Sequence, residues 1–360
     1  APPRWVVRPT PARTSPIDRS KTAEDLRAAW ARPVGCAVMT DAPDPALPTL
    51  SVMLRNFRAD DPGPGGWEPL LAQARAAEAA GIDRLAVADH VVFGENLDAY
   101  GDPKAGGTAG GTQPTGPDGH WLEPLTLLSV VAGSTHSIRL QTGILIAALR
   151  RPAVLAKSVA TLDVLSGGRV DLGVGVGWQR EEYEAAGLAY EGRGRLLDHS
   201  LEVCRTLWTE TTAGHRSEHL EFERIHMMPK PVQSGGVPVW VSGRINKNVL
   251  ARIVRFGRGW IPWGDDAKDP TAGVRRIAEE MDAAGRAMTG FCVAGTLPVA
   301  RTDGGAVDID ATMDAVGPLV EAGITDFRAY VPVPTDPGEA LETLTPLVTA
   351  FRRTVGRPTL

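Results

Sequence analysis

The sequence predicts a (β/α)8 barrel, and three of its features point that way. Eight short apolar runs with strand character recur between residues 50 and 331. Each is followed, after a loop of polar, glycine or proline character, by a segment with helical patterning. The return from helix to strand also repeats, with helices ending in Ala-Gly at Gly81, Gly285 and Gly323 and feeding the next apolar run. Glycine just past a helix end is the usual left-handed cap, so the repeat marks αβ units. A doubly wound sheet would carry a glycine fingerprint on its first strand, and this first strand has none.

In chain order, the strands are expected at 50–57, 82–89, 138–146, 169–175, 238–242, 259–262, 291–298 and 325–331. The first, SVMLRNF, runs into the turn DDPGPGG and the helix WEPLLAQARAAEAAG. The last two helices are DATMDAVGPLVEAG and GEALETLTPLVTAFRR. Residues 91–121 and 211–237 break the rhythm, and connections of that length inside a compact domain are usually lids or binding loops. The first follows a strand on the side where barrels build their sites, so it is expected to cover a substrate. Residues 1–48 read differently, with three arginines and no acid in APPRWVVRPTPARTSP. They are expected to form a poorly ordered extension with a short helix at 22–32, ahead of a single barrel domain over 49–356.

A length of 360 residues exceeds the usual single domain, but barrels routinely do so. With 43% apolar residues the chain has ample material for a core. A net charge of -5 with no basic stripe argues against nucleic acid, and no run of 18 apolar residues suggests a membrane span. Cys36, Cys204 and Cys292 are scattered and odd in number, which fits reduced thiols in the cytoplasm.

In a barrel the informative positions are the C-terminal strand ends. Here they are Asn56, Asp89-His90, Gly143-Ile144, Gly175-Val176-Gly177-Trp178, Ser242-Gly243-Arg244 and Trp263-Gly264-Asp265. No strand-end lysine offers Schiff-base chemistry, and no cluster of carboxylates and histidines offers a metal site. A planar, phosphate-bearing organic cofactor suits the set better. GVGVG fails the dinucleotide spacing, because its third glycine falls one residue early. Two readings of it stay open: backbone approach to a ligand, or a strand squeezed against its neighbours. His90 can exchange a proton near neutral pH, and it can equally be a structural hydrogen-bonder. Ser242-Gly243-Arg244, with Asn246 and Lys247, reads either as an anion site at a helix start or as a solvated basic face. His215, His219 and His226 are spaced loosely and read as structural or surface residues.

SGGRVDLGVGVGWQREEYEAAGL, TGILIAALRRPAVLAKSVATLDVLSGGR and MPKPVQSGGVPVWVSG followed by GRGWIP together resemble the bacterial luciferase-like monooxygenase family over roughly residues 49–355. The resemblance implies a (β/α)8 barrel that binds FMN or the deazaflavin coenzyme F420. It implies a non-prolyl cis peptide at Gly143-Ile144. Around the cofactor's ribityl chain and phosphate it implies the turn Gly175, Val176, Gly177 and Trp178 and the segment Ser242, Gly243 and Arg244. Asp89-His90 is similar to the Asp-His of F420-dependent dehydrogenases and reductases, which implies a catalytic place near the reacting ring. Asn56, Trp178 and Trp263 are expected to face the substrate. Sugar-phosphate dehydrogenases of the family carry a glutamate where this chain has Trp178, so a different substrate class is expected. The resemblance favours an F420-dependent oxidoreductase acting on a small organic substrate, as a homodimer. Two alternatives stand beside it: an FMN-dependent monooxygenase served by a separate reductase, and a non-catalytic flavin-binding protein.

Overall fold

The computed structural model describes residues 47–358, apart from 62, 64 and 65. The extension over 1–48, with its helix at 22–32, therefore lies almost wholly outside the described residues. From there the chain runs through β1 (Thr49–Met53), β2 (Phe57–Arg58), α1 (Glu68–Ala79), β3 (Arg84–Val87), β4 (His120–Trp121), α2 (Pro124–Ser134), β5 (Arg139–Thr142) and α3 (Pro152–Leu165). Next come β6 (Val170–Val174), α4 (Arg180–Ala185), α5 (Arg193–Thr209), β7 (Ala213–Arg216), β8 (Glu221–Ile225), β9 (Val239–Ser242), α6 (Lys247–Phe256) and β10 (Gly257–Ile261). The chain closes with α7 (Thr271–Ala283), β11 (Cys292–Leu297), α8 (Ile309–Asp314), α9 (Val316–Glu321), β12 (Asp326–Ala329) and α10 (Pro337–Thr354).

Eight of these strands form one closed parallel barrel in the order β1-β12-β11-β10-β9-β6-β5-β3. All eight were expected. Gly81, Gly285 and Gly323 have φ of +83°, +68° and +93°, the left-handed cap conformation that their place after a helix predicts. Outward-facing Val52, Leu85, Val87, Leu140, Leu172, Val174 and Val241 are buried under the helices. Burial of both strand faces is why these runs read as continuously apolar.

Three local features depart from expectation. The first strand is shorter than 50–57, because barrel pairing stops at Met53 and Phe57–Arg58 turns away to pair antiparallel with His120–Trp121. There the Phe57 and Trp121 rings stack at 4.3 Å. Within 211–237 the chain folds a hairpin, β7 with β8, instead of an open loop. The seventh helix breaks into α8 and α9.

The barrel interior is charged at its N-terminal end. Arg84 donates to Asp171 at 3.0 Å and also to Asp326. Arg139 donates to Asp171 at 2.6 and 2.8 Å, and Ser51 donates to Asp326 at 3.0 Å. The Arg84 guanidinium also lies 4.7 Å from the Trp240 ring centroid, a cation–π contact. Burial pushes the Asp171 carboxyl up, but Arg139 and Arg84 outweigh it and hold it below the ordinary carboxylate range.

Candidate active site

The C-terminal mouth of the barrel brings His90 and Trp178 together with three aromatic residues of the connection after β3. The His90 ring lies 4.4 Å from Phe93, 4.8 Å from Trp121 and 5.8 Å from Trp178, the last two edge-on. Tyr100 meets Trp178 edge-on at 5.5 Å. One acid enters this box. His90 Nδ1 lies 3.3 Å from Glu182 Oε1, an ion-pair distance whose geometry is not that of a hydrogen bond. Glu182 Oε1 also accepts the Val91 N–H at 2.8 Å, while its Oε2 has no partner.

Glu182 was missed in the sequence because it sits in REEYEA, on a helix whose other acids are at least partly exposed. It supplies a carboxylate four residues beyond Trp178, the position where an acid was expected to be lacking. The helix α4 starts at Arg180 and turns Glu182 and Tyr183 inward, where Tyr183 donates to the Val176 carbonyl at 2.7 Å.

Asp89 takes a different place from the one expected. Its carboxylate accepts the Ile146 N–H at 2.8 Å and both Arg150 nitrogens at 2.6 and 2.9 Å. Both oxygens are thus committed, so Asp89 anchors the bulge after β5 and does not face His90's reacting side. Arg150 also donates to Glu123 at 2.9 Å. Burial pushes the Glu123 carboxyl up, but hydrogen bonds from Thr126 and Arg150 hold it below the ordinary range.

Asn56, expected to face the substrate, is committed to backbone. It is fully buried, donating to the Ala88 and Leu122 carbonyls at 2.9 Å each and accepting the Ala88 N–H at 3.0 Å. With both amide hydrogens and its carbonyl oxygen bound to backbone, the side chain staples the segment after β1 to its neighbours.

The Gly143–Ile144 peptide is cis. The bulge it belongs to answers the question raised by GVGVG. A Cβ on Gly173 would fall 2.0 Å from the Thr142 carbonyl oxygen, on Gly175 2.8 Å from Ile144 Cδ1, and on Gly177 3.1 Å from Ile146 Cδ1. All three glycines make room for the segment 142–146 beside them. The alternation is explained by strand packing, with no ligand needed to account for it.

The segment 91–121 closes over the mouth. Tyr190 Oη lies 2.7 Å from the Ala105 carbonyl and 2.8 Å from that of Trp178. Arg244, exposed at the end of β9, donates to the Pro103 carbonyl at 2.6 Å, and Trp263 Nε1 donates to the Gly106 carbonyl at 3.1 Å. A Cβ on Gly106 would sit 3.5 Å from the Gly177 carbonyl. Arg244 and Trp263, expected at cofactor and substrate, therefore hold the cover down. Ser242 and Gly243 are half-buried beneath it, and the Gly243 carbonyl accepts Trp260 Nε1 at 2.9 Å. Val176 is partly buried against the core.

His215 and His219 each lie against His199, with ring centroids 5.2 and 5.5 Å apart, and His226 binds the Thr211 carbonyl at 2.8 Å. No group of three or more His, Cys, Asp or Glu side chains among the described residues is arranged to hold a metal. Nor is any helix among them long and apolar enough to cross a membrane.

Comparison with known proteins follows the same lines. The chain is 32% identical to an uncharacterised protein of Mycobacterium tuberculosis over 213 residues, covering 59% of this chain and 70% of that one. It is 27% identical to the F420-dependent hydroxymycolic acid dehydrogenase of the same organism over 326 residues, 84% of this chain and 82% of the relative. Among solved structures, an F420-dependent secondary alcohol dehydrogenase in complex with an F420–acetone adduct superposes with a TM-score of 0.64 at 17% identity, over 85% of this chain and 99% of that one. The luciferase-like monooxygenase model matches residues 49–316, most of the barrel, and the chain belongs to that family.

Proposed function

We propose that this chain is an oxidoreductase that binds coenzyme F420, in preference to FMN, at the barrel mouth and acts on a small oxygen-bearing organic substrate beneath the 91–121 cover. One observation carries the reading. Trp178 Nε1, Glu182 Oε2, Gln113 Nε2 and Gln179 Oε1 are buried without hydrogen-bond partners among the described residues, and three of them belong to the loops after β3 and β6. An unpaired buried polar atom costs about 1–3 kcal/mol, so such a cluster fits a site completed by a polar, ring-bearing ligand. Similarity to an F420-dependent dehydrogenase along most of both chains supports the deazaflavin.

The bound cofactor would supply hydride acceptance or donation. The chain's own residues do the rest. An alcohol that loses hydride from carbon must also lose its hydroxyl proton, and His90 is placed to take it. Glu182 holds the imidazole from behind and balances its charge once protonated. Trp178, Trp121 and Phe93 keep water away from the pair. Asp89, Arg150 and Ile146 position the bulge, and Tyr190, Arg244 and Trp263 hold the cover.

Titration with F420 and FMN side by side tests this reading. F420 binding with turnover is expected, together with a His90→Ala variant that binds normally and turns over poorly. Tight FMN binding without response to F420 overturns the cofactor preference in favour of a reduced-flavin monooxygenase. Binding with turnover untouched by His90→Ala removes the proton role.

A further inference from the structure

The eighth barrel strand buries a cation that has no counter-ion among the described residues. Arg328, on β12, is 7% exposed and lies beyond the stretch matched by the family model, 49–316. Its Nη2 donates to Gln141 Oε1 at 2.6 Å. Arg328 Nε and Gln141 Nε2 have no hydrogen-bond partner among the described residues. The interior carboxylates, Asp171 and Asp326, are bound by Arg84 and Arg139, and no ion pair among the described residues includes Arg328. Arg328 Nη1 comes within 3.4 Å of where a Cβ on Gly143 would stand, with Met53 Sδ 3.8 Å from the same point. The guanidinium therefore stands at the C-terminal strand ends, directly against the Gly143–Ile144 bulge.

An isolated buried cation is costly, and a guanidinium with a free N–H beside a free amide N–H matches a flat anion with adjacent acceptors. We infer that Arg328 and Gln141 receive the negative charge that reduction places on the bound ring. A ring that gains two electrons and one proton, as a hydride from substrate, becomes more negative by one charge. That charge spreads over an edge of oxygen and nitrogen acceptors, and a cation there stabilises the reduced form over the oxidised one. The inference rests on the cofactor reading above. A substrate carboxylate presents the same flat anionic chemistry and forms the second arm of the test.

The experiment measures dissociation constants for oxidised and reduced cofactor anaerobically, in wild type, Arg328→Met, Arg328→Lys and Gln141→Leu. Arg328→Met is expected to leave oxidised binding nearly unchanged and to weaken reduced binding about tenfold or more, equal to ~30 mV for a two-electron couple. Arg328→Lys should recover most of that ratio. Gln141→Leu should lose a smaller part of it, and these two variants carry the test if the methionine variant does not fold. A ratio that does not change, or equal weakening of both states, overturns the proposal alone. Benzoate binding to the oxidised holoprotein that requires Arg328, with the ratio unchanged, overturns it in favour of a substrate carboxylate. Failure of the wild type to bind either cofactor removes the functional reading and the proposal together.

Discussion

At the N-terminal end of the barrel, Arg84 and Arg139 face Asp171 and Asp326, so two cations and two anions satisfy one another with no help from outside. At the C-terminal end, no ion pair among the described residues includes Arg328, and Glu182 Oε2 and Trp178 Nε1 are buried with no hydrogen-bond partner among those residues. The same closed sheet holds both sets, so fold stability alone does not explain the second. Buried polar groups are normally paired, and where pairing is complete the network serves the fold. Where it is incomplete beneath a fitted cover, a ligand can supply the missing partner. The lower end serves the fold, and the upper end carries the site proposed above.

This contrast can be broken from either side. The largest effect is expected at the lower end, where Arg84→Met leaves Asp171 and Asp326 short of a partner. Breaking a buried pair from one side costs about 3–5 kcal/mol, read as a fall in the denaturant midpoint, and an unchanged midpoint would deny the network its structural role. At the upper end, Glu182→Gln should lower turnover ~100-fold or more through His90 while leaving the denaturant midpoint nearly in place. A stability loss as large as that of Arg84→Met would mark Glu182 as structural instead. Asn56→Ala is expected to cost about 1–3 kcal/mol of stability, because it strands the Ala88 and Leu122 carbonyls, with substrate KM unaffected. A rise in KM without loss of stability would return Asn56 to the substrate.

The smallest effect is in acid. The Asp171 carboxyl is held below its unfolded value, so its contribution is complete above that value and is lost as pH falls through the folded one. Stability should therefore be level from neutral pH down to about 5 and fall below about 4, the ordinary aspartate range. Asp171→Asn should flatten that acid slope while lowering stability at neutral pH. A slope that persists in full would place the acid-sensitive group elsewhere.

What the sequence discloses and what it hides follow one physical line. Strand order and helix ends are local properties: apolar runs, Ala-Gly caps and loop length place all eight barrel strands within a few residues. That His90 and Trp178 meet at the barrel mouth was legible because both stand just beyond strand ends. Glu182 was not, because which acid of a short helix turns inward depends on how that helix docks, and neighbouring Glu181 gives the same local signal. Arg328 was hidden for a similar reason, since only barrel closure sets it beside Gln141, 187 positions away in the chain. For GVGVG the sequence left two readings open, backbone approach to a ligand or a squeezed strand, and the crowding of all three glycines against the 142–146 bulge supports the packing reading.

Amide hydrogen exchange with and without F420 compares the two ends in one experiment. Added protection is expected at the 91–121 cover and along 176–183, with exchange at β1, β3 and β12 unaltered near Arg84 and Asp326. Protection confined to those lower strand ends, or none at the cover on saturation with F420, would contradict the assignment of the C-terminal mouth as the site.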